Sequence, residues 1–188
     1  MRRKSVVLAL SVAAITAATL YCAQVVRATP ANPGFTTTYL LKGATFSPFL
    51  VFDRAREHAL PAGNNDEGWF DFQMTKGHSD LYVVNNTWQA VNFDGNQGIA
   101  STGWHTHPGP SLITVTAGTL TEYHKNCVPH VHNTGDTFVD AGGGEVHLIR
   151  NEGSVAAATI AVQLVPYDPA KANRRVDVPA PSTCANIN

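Results

Sequence analysis

A chain of 188 residues with 44% hydrophobic content is long enough for one domain that buries a sizeable core, and a second domain is not expected. Thirteen basic residues stand against fourteen acidic ones, a formal charge of −1, with no basic cluster. Once the basic N-terminal segment read below as a signal is set aside, the acidic excess without a basic cluster argues against nucleic acid or an anionic membrane as partner.

The N-terminus reads as a secretory signal over residues 1–28. Met1-Arg2-Arg3-Lys4 is a basic head, the run from Val6 to Leu20 is apolar and alanine-rich, and Val26-Arg27-Ala28 has small residues at the spacing a signal peptidase reads. Ser11, Thr16, Thr19, Gln24 and Arg27 make it a poor membrane span. Cys22 follows a weak lipobox, and the residues after Arg2-Arg3 fit a folded-export signal only loosely. Removal of the segment takes away Arg2, Arg3, Lys4 and Arg27. The remaining 160 residues then carry nine basic against fourteen acidic side chains, a formal charge of −5. The expected location is secreted, periplasmic or extracellular, with no membrane partner once the signal is gone. A homodimer is compatible with this reading.

Two cysteines remain, Cys127 and Cys184, and in an oxidising compartment two cysteines most simply pair. The other reading makes Cys127 a soft metal ligand flanked by His124 and His130.

Along the mature chain, residues 29–45 read as an N-terminal extension, loose and proline-rich at first, with Thr36 to Leu41 strand-like through its β-branched content. Phe46 to Leu60 is ambiguous: Ser47-Pro48 suits a helix start, whereas Phe49-Leu50-Val51-Phe52 suits a buried strand. Trp69 to Met74 and Leu81 to Trp88 predict consecutive strands around the turn Lys76 to Ser79. After the loop from Asn92 to Thr102 come short β-rich runs at Gly103–His107, Leu112–Ala117, Thr119–His124, Thr137–Asp140, Val146–Arg150 and Ala157–Val165. Turn residues separate them, and no segment after the signal shows helical periodicity. An all-β antiparallel barrel or sandwich over residues 46–170 follows, with a C-terminal tail at 171–188.

His105-Thr106-His107 places two imidazoles on the same side of a strand, where they can share a metal ion. His147 lies in Glu145 to Asn151, an alternating segment entered through Gly142-Gly143-Gly144, which permits a sharp turn or bulge.

Here the sequence resembles the cupin superfamily. Its first motif runs glycine, HxH, a glutamate three or four residues on, and a glycine six residues later; His105, His107 and Gly118 match, with Ser111 in the glutamate slot. The second motif is matched by Gly135, Gly143, His147 and Asn151, with Ala141 for its proline and one extra residue before the histidine. The resemblance covers residues 81–165. It implies a double-stranded β-helix, or jelly-roll barrel, in which His105, His107 and His147 hold one divalent transition metal: iron, manganese, zinc, copper or nickel. A serine hydroxyl is a poor ligand, so Ser111 is expected behind the ligands, with water or substrate in the open position. Loss of the glutamate would leave the site at a formal +2 rather than +1, a stronger Lewis acid.

Other side chains carry weaker signals. His124, His130 and His132 read as solvated loop histidines or as a surface zinc or copper site, and Glu122 as a replacement carboxylate for the cage. Phe93, Trp88, Trp104 and Phe138 are candidates for the walls of a pocket over the metal. Asp94, Asp136 and Asp140 read as turn residues rather than catalytic bases, and no catalytic residue is assigned. The expected function is a secreted metal-binding oxidoreductase, a dioxygenase acting on a small organic molecule. The alternative is a non-catalytic module that binds metal or a small ligand.

Overall fold

The computed structural model describes residues 28–54, 70–92 and 98–187. The signal segment up to residue 27, Trp69, Phe93 and Asp94 lie outside them, as do residues 55–60 of the ambiguous segment. Thirteen strands appear among the described residues: β1 (Phe35–Phe46), β2 (Leu50–Arg54), β3 (Phe70–Met74), β4 (Ser79–Trp88), β5 (Ala100–Ser101), β6 (His105–Thr106), β7 (Ser111–Ala117), β8 (Thr119–His124), β9 (Pro129–Asn133), β10 (Thr137–Asp140), β11 (His147–Asn151), β12 (Ala157–Pro166) and β13 (Val176–Asp177).

One sheet has the order β1-β4-β12-β7-β10, the other β13-β6-β11-β8-β9 with β5 also on β11, and β2 pairs with β3 apart from both. Every pairing is antiparallel. From β7 onward the chain crosses repeatedly between the two main sheets. The hairpin formed by β7–β8 with β9–β10 spans both of them, and β11 and β12 add to its other side. That winding is a double-stranded β-helix.

Alternation explains how each strand finds its place. In β7, Ser111, Ile113 and Val115 are buried while Leu112, Thr114 and Thr116 are exposed; in β12, Ala157, Thr159, Ala161, Gln163 and Val165 are buried. Period-two burial is what a strand with one face on a core requires. Between the sheets, Trp88, Ala100, Val115, Leu120, Ile149 and Ala157 form one cluster, and Tyr82, Val84, Ile113, Ala161 and Val165 a second, with Phe138 packed against both. At the β7–β8 corner Gly118 takes φ +70, and a Cβ there would lie 2.7 Å from the Ala156 carbonyl oxygen. Only glycine fits that combination of left-handed backbone and close approach.

The tail covers the outer face of the second sheet. Trp104, Tyr123 and Leu148 on that face pack around Cys184, with Val178, Ala180 and Ile187 alongside. Cys184 is bonded to Cys127, the two Cα atoms 5.5 Å apart. The expected pairing is therefore present, and the reading of Cys127 as a metal ligand is set aside. Trp104 donates from Nε1 to the Ile187 carbonyl, so it anchors the tail and does not wall a metal pocket.

Two segments refine the sequence reading. Of the two alternatives for the ambiguous stretch, residues 50–54 take the strand, β2, in which Leu50-Val51-Phe52 pairs residue by residue with Phe72-Gln73-Met74, but these side chains are exposed and not buried. His130 and His132 lie on strand β9, in register with Glu122 and Leu120 of β8, and not in a loop. His130 is exposed and His132 half-buried.

Candidate metal centre

His105 on β6 and His147 on β11 are directly paired across their antiparallel strands. Side chains of a directly opposed pair lie on the same face, and their ring centroids are 4.5 Å apart. His107, two residues along, brings its ring to 4.9 Å from His105 and 5.8 Å from His147. One ring nitrogen from each of the three lies within 4.8 Å of the others, and all three side chains are buried. The structure thus brings together the three histidines singled out in the sequence.

Each imidazole is held from behind. His105 donates from Nδ1 to the Gly103 carbonyl at 2.9 Å, His107 from Nδ1 to the Arg174 carbonyl at 2.7 Å, and His147 from Nδ1 to Glu122 Oε1 at 2.8 Å. With Nδ1 as the donor, Nε2 carries the lone pair, the tautomer a metal ligand needs. His147 Nε2 is buried and has no hydrogen-bond partner. Burial pushes the His107 pKa down to about 3, against the upward pull of its bond to the Arg174 carbonyl. It pushes His105 well below its ordinary value too, aided by the neighbouring His147 and His107 rings and the Arg175 guanidinium. Both rings are therefore neutral at physiological pH. Three buried imidazoles whose free ring nitrogens converge fit a divalent transition metal.

Ser111 stands in β7 between Gln163 and Asp140, its direct partners on the two neighbouring strands. Its hydroxyl accepts a 2.9 Å bond from Gln163 Nε2, which stands 3.3 Å from His107 Nδ1. Ser111 touches none of the three rings through any of these bonds. Gln163 Oε1 in turn accepts from Arg174 Nη1 at 2.9 Å.

Two carboxylates approach the histidines. Glu122 lies behind His147, on its Nδ1 side, so it is not a replacement member of the cage on the Nε2 side. Its other oxygen, Oε2, is 3.1 Å from His132 Nε2 and 3.5 Å from His124 Nε2. Burial raises the Glu122 pKa, but the His147 hydrogen bond and the charges and bonds of His147, His124 and His132 together hold it below the ordinary value. The second carboxylate is Asp140, which sequence reasoning took for a turn residue. It ends β10 fully buried, with Oδ2 at 3.4 Å from His147 Nε2 and 3.6 Å from His107 Nε2. Burial holds its carboxyl above the usual range, offset in part by His147 and by the Gly142 N–H.

A cavity of about 30 Å³ adjoins the rings, lined by His105, His107 and His147, by Trp88, Thr159 and Gln163 of the facing sheet, and by Arg174 and Arg175. Phe138 packs in the core and stacks on His132 instead, ring centroids 4.0 Å apart. Both arginines belong to the tail. Arg174 also donates to Tyr39 Oη, and Arg175 to the Thr102 carbonyl and Asp177.

The two motif histidines, the third from the glycine-rich turn, and the winding of β7 to β12 all meet at one point inside the barrel. The fold is a double-stranded β-helix with the three histidines inside it. Solved structures similar to this chain include a cupin superfamily protein from Desulfitobacterium hafniense, 10% identical over 45% of this chain and 67% of that one, TM-score 0.37. An uncharacterised double-stranded β-helix protein from Klebsiella pneumoniae is 19% identical over 53% and 71%, TM-score 0.41. Oxalate oxidase is 17% identical over 52% of this chain, which spans 46% of that enzyme, TM-score 0.40. No family model and no curated protein matches the sequence. Within this barrel, Asp140 is the neighbour of the histidines that the sequence did not single out, and Glu122, offered there as a cage member, stands behind His147 instead. Glu122 sits where the β8–β11 register puts it beside His147, and that register is invisible in the sequence.

Proposed function

We propose that the chain is a secreted, metal-binding cupin whose barrel follows a removable signal at 1–28, and that His105, His107 and His147 hold one divalent transition metal. The observation that carries this is the shared orientation of the three rings: each Nδ1–H is spent on an acceptor of the protein, and the Nε2 atoms are left to converge. When bound, the metal supplies Lewis acidity and, if it is iron, manganese or copper, a redox partner. The protein side of the chemistry is positional. Glu122 orients His147, and the Arg174 carbonyl orients His107. Arg174 and Arg175 line the cavity and give it a positive field that favours a small anion over a neutral or cationic ligand.

On this basis the activity is oxidoreductase, dioxygen-dependent, on a small organic acid. A screen of oxygen uptake by the metal-loaded protein over small mono- and dicarboxylates tests it. Uptake with at least one acid, abolished in His105→Ala, is the expected result; no uptake with any of them would remove the enzymatic reading. The cavity favours a second reading, because about 30 Å³ holds little more than a single water. A barrel that captures metal or a small anion without turnover would show tight, saturable binding in the same screen and no oxygen consumed.

A further inference from the structure

We infer that Asp140 is a fourth protein ligand of this centre, the carboxylate having passed from position 111 on β7 to the residue opposite it on β10. The inference rests on the three-histidine reading above and adds to it.

Register makes the exchange possible. Asp140 and Ser111 are directly paired in the β7–β10 ladder, and a directly opposed pair presents both side chains to one face. Both are buried, Ser111 at 0% and Asp140 at 1% exposure. The serine that occupies the carboxylate slot of the first motif therefore has a carboxylate as its immediate cross-strand neighbour.

The surroundings of the carboxyl group then show what it faces. Oδ1 accepts a 2.9 Å bond from the Gly142 N–H, whereas Oδ2 is buried with no hydrogen-bond partner. His147 Nε2, 3.4 Å from Oδ2, is also buried without a partner, and His107 Nε2 lies at 3.6 Å. Since both rings donate from Nδ1 on their other side, Oδ2 and the two Nε2 atoms converge as three acceptors. Three acceptors meeting in a dry interior repel one another unless a cation lies among them. Their spacing suits one: two ligands each about 2.1 Å from a metal at a tetrahedral angle lie about 3.4 Å apart.

The turn after β10 serves this placement. Gly142 takes φ +68, and a Cβ there would come within 2.3 Å of the Gly109 carbonyl oxygen. The close approach lets the Gly142 N–H cap Oδ1 while the next residue, Gly143, donates its N–H to the His107 carbonyl at 2.9 Å. The turn thus ties Asp140 to the HxH segment. Asp140 is not among the residues lining the cavity, which leaves the arginine side of the centre for an outside ligand. With Asp140 counted, the site carries a formal +1, not the +2 of three histidines alone.

Cobalt(II) is a suitable probe, because its absorption reports coordination as well as affinity. Competition titrations on the full mature chain would compare wild type with Asp140→Asn, which keeps the acceptor facing Gly142, with Ser111→Glu/Asp140→Asn, and with His105→Ala. The expected results are a loss of at least about 100-fold in cobalt affinity for Asp140→Asn, more than an orienting residue typically contributes, with a changed d–d spectrum. The double variant should recover most of that affinity, and metal-free Asp140→Asn should melt no lower than metal-free wild type. Unchanged affinity and spectrum in Asp140→Asn, beside a clear loss in His105→Ala, would overturn the Asp140 assignment and leave the three-histidine centre standing. No cobalt binding by wild type would overturn both.

Discussion

His147 is held between two carboxylates, Glu122 on Nδ1 and Asp140 facing Nε2, and the two have different roles. Glu122 fixes the tautomer and angle of the ring. Replacing it with glutamine should weaken metal affinity by about 10–100-fold, the usual effect of losing an orienting partner, while leaving the spectrum of bound cobalt close to wild type. Acid should act through the other two rings. His105 and His107 have folded pKa values below their unfolded ones, so the unfolded chain binds more protons as pH falls below about 6.5. The stability of the chelated, metal-free protein is therefore full above that pH and declines toward acid. At pH 5 the His107 ring alone removes about 2 kcal/mol, and His105 adds to the loss in the same direction. Asp140, with a raised folded pKa, works in the opposite direction but is one group against two. Urea unfolding at pH 7 and pH 5 in the presence of chelator should show a lower midpoint at pH 5; an equal or higher one would contradict the assigned environments. HxH was legible because its spacing alone puts both rings on one face. Asp140 was not, since an aspartate before three glycines reads as a turn until the β7–β10 register is known.

Among the elements, the regular strands β4, β7, β8, β10, β11 and β12 were legible because turn glycines and period-two alternation bound them. Three were missed for physical reasons. β5 is only Ala100-Ser101, inside what the sequence reads as a loop, and is held by its ladder to β11. β9 begins at Pro129 and carries two histidines, so its sequence lacks the β-branched and aromatic content of a strand; it exists because β8 pairs with it along its whole length. β13 has only two residues, Val176-Asp177, and is held by the ladder to β6 and by Arg175 bonding both Asp177 and Thr102. These short elements position the site. β9 delivers His132 to Glu122, and the residues just before β13 deliver the Arg174 carbonyl to His107.

On the scale of the whole molecule, the tail that carries Arg174 is fastened by the Cys127–Cys184 bond, which closes a span of 57 residues. In the chain-entropy account, that closure stabilises the fold by about 4 kcal/mol. Reduction, or the pair Cys127→Ser/Cys184→Ser, should lower the unfolding free energy by up to that amount in denaturant titrations. A stability unchanged by reduction would mean that packing around Trp104 alone holds the tail. The bond also points to a non-cytoplasmic location, and no helix among the described residues is long and apolar enough to cross a membrane. The barrel, the tail and the disulfide together enclose three histidines whose free nitrogens meet. The most direct test of that centre is elemental analysis of the protein purified from its native compartment without chelator, beside His105→Ala prepared in the same way. One equivalent of a single transition metal in wild type, lost in the variant, is the predicted result; no stoichiometric metal in wild type, or equal metal in both, would contradict it.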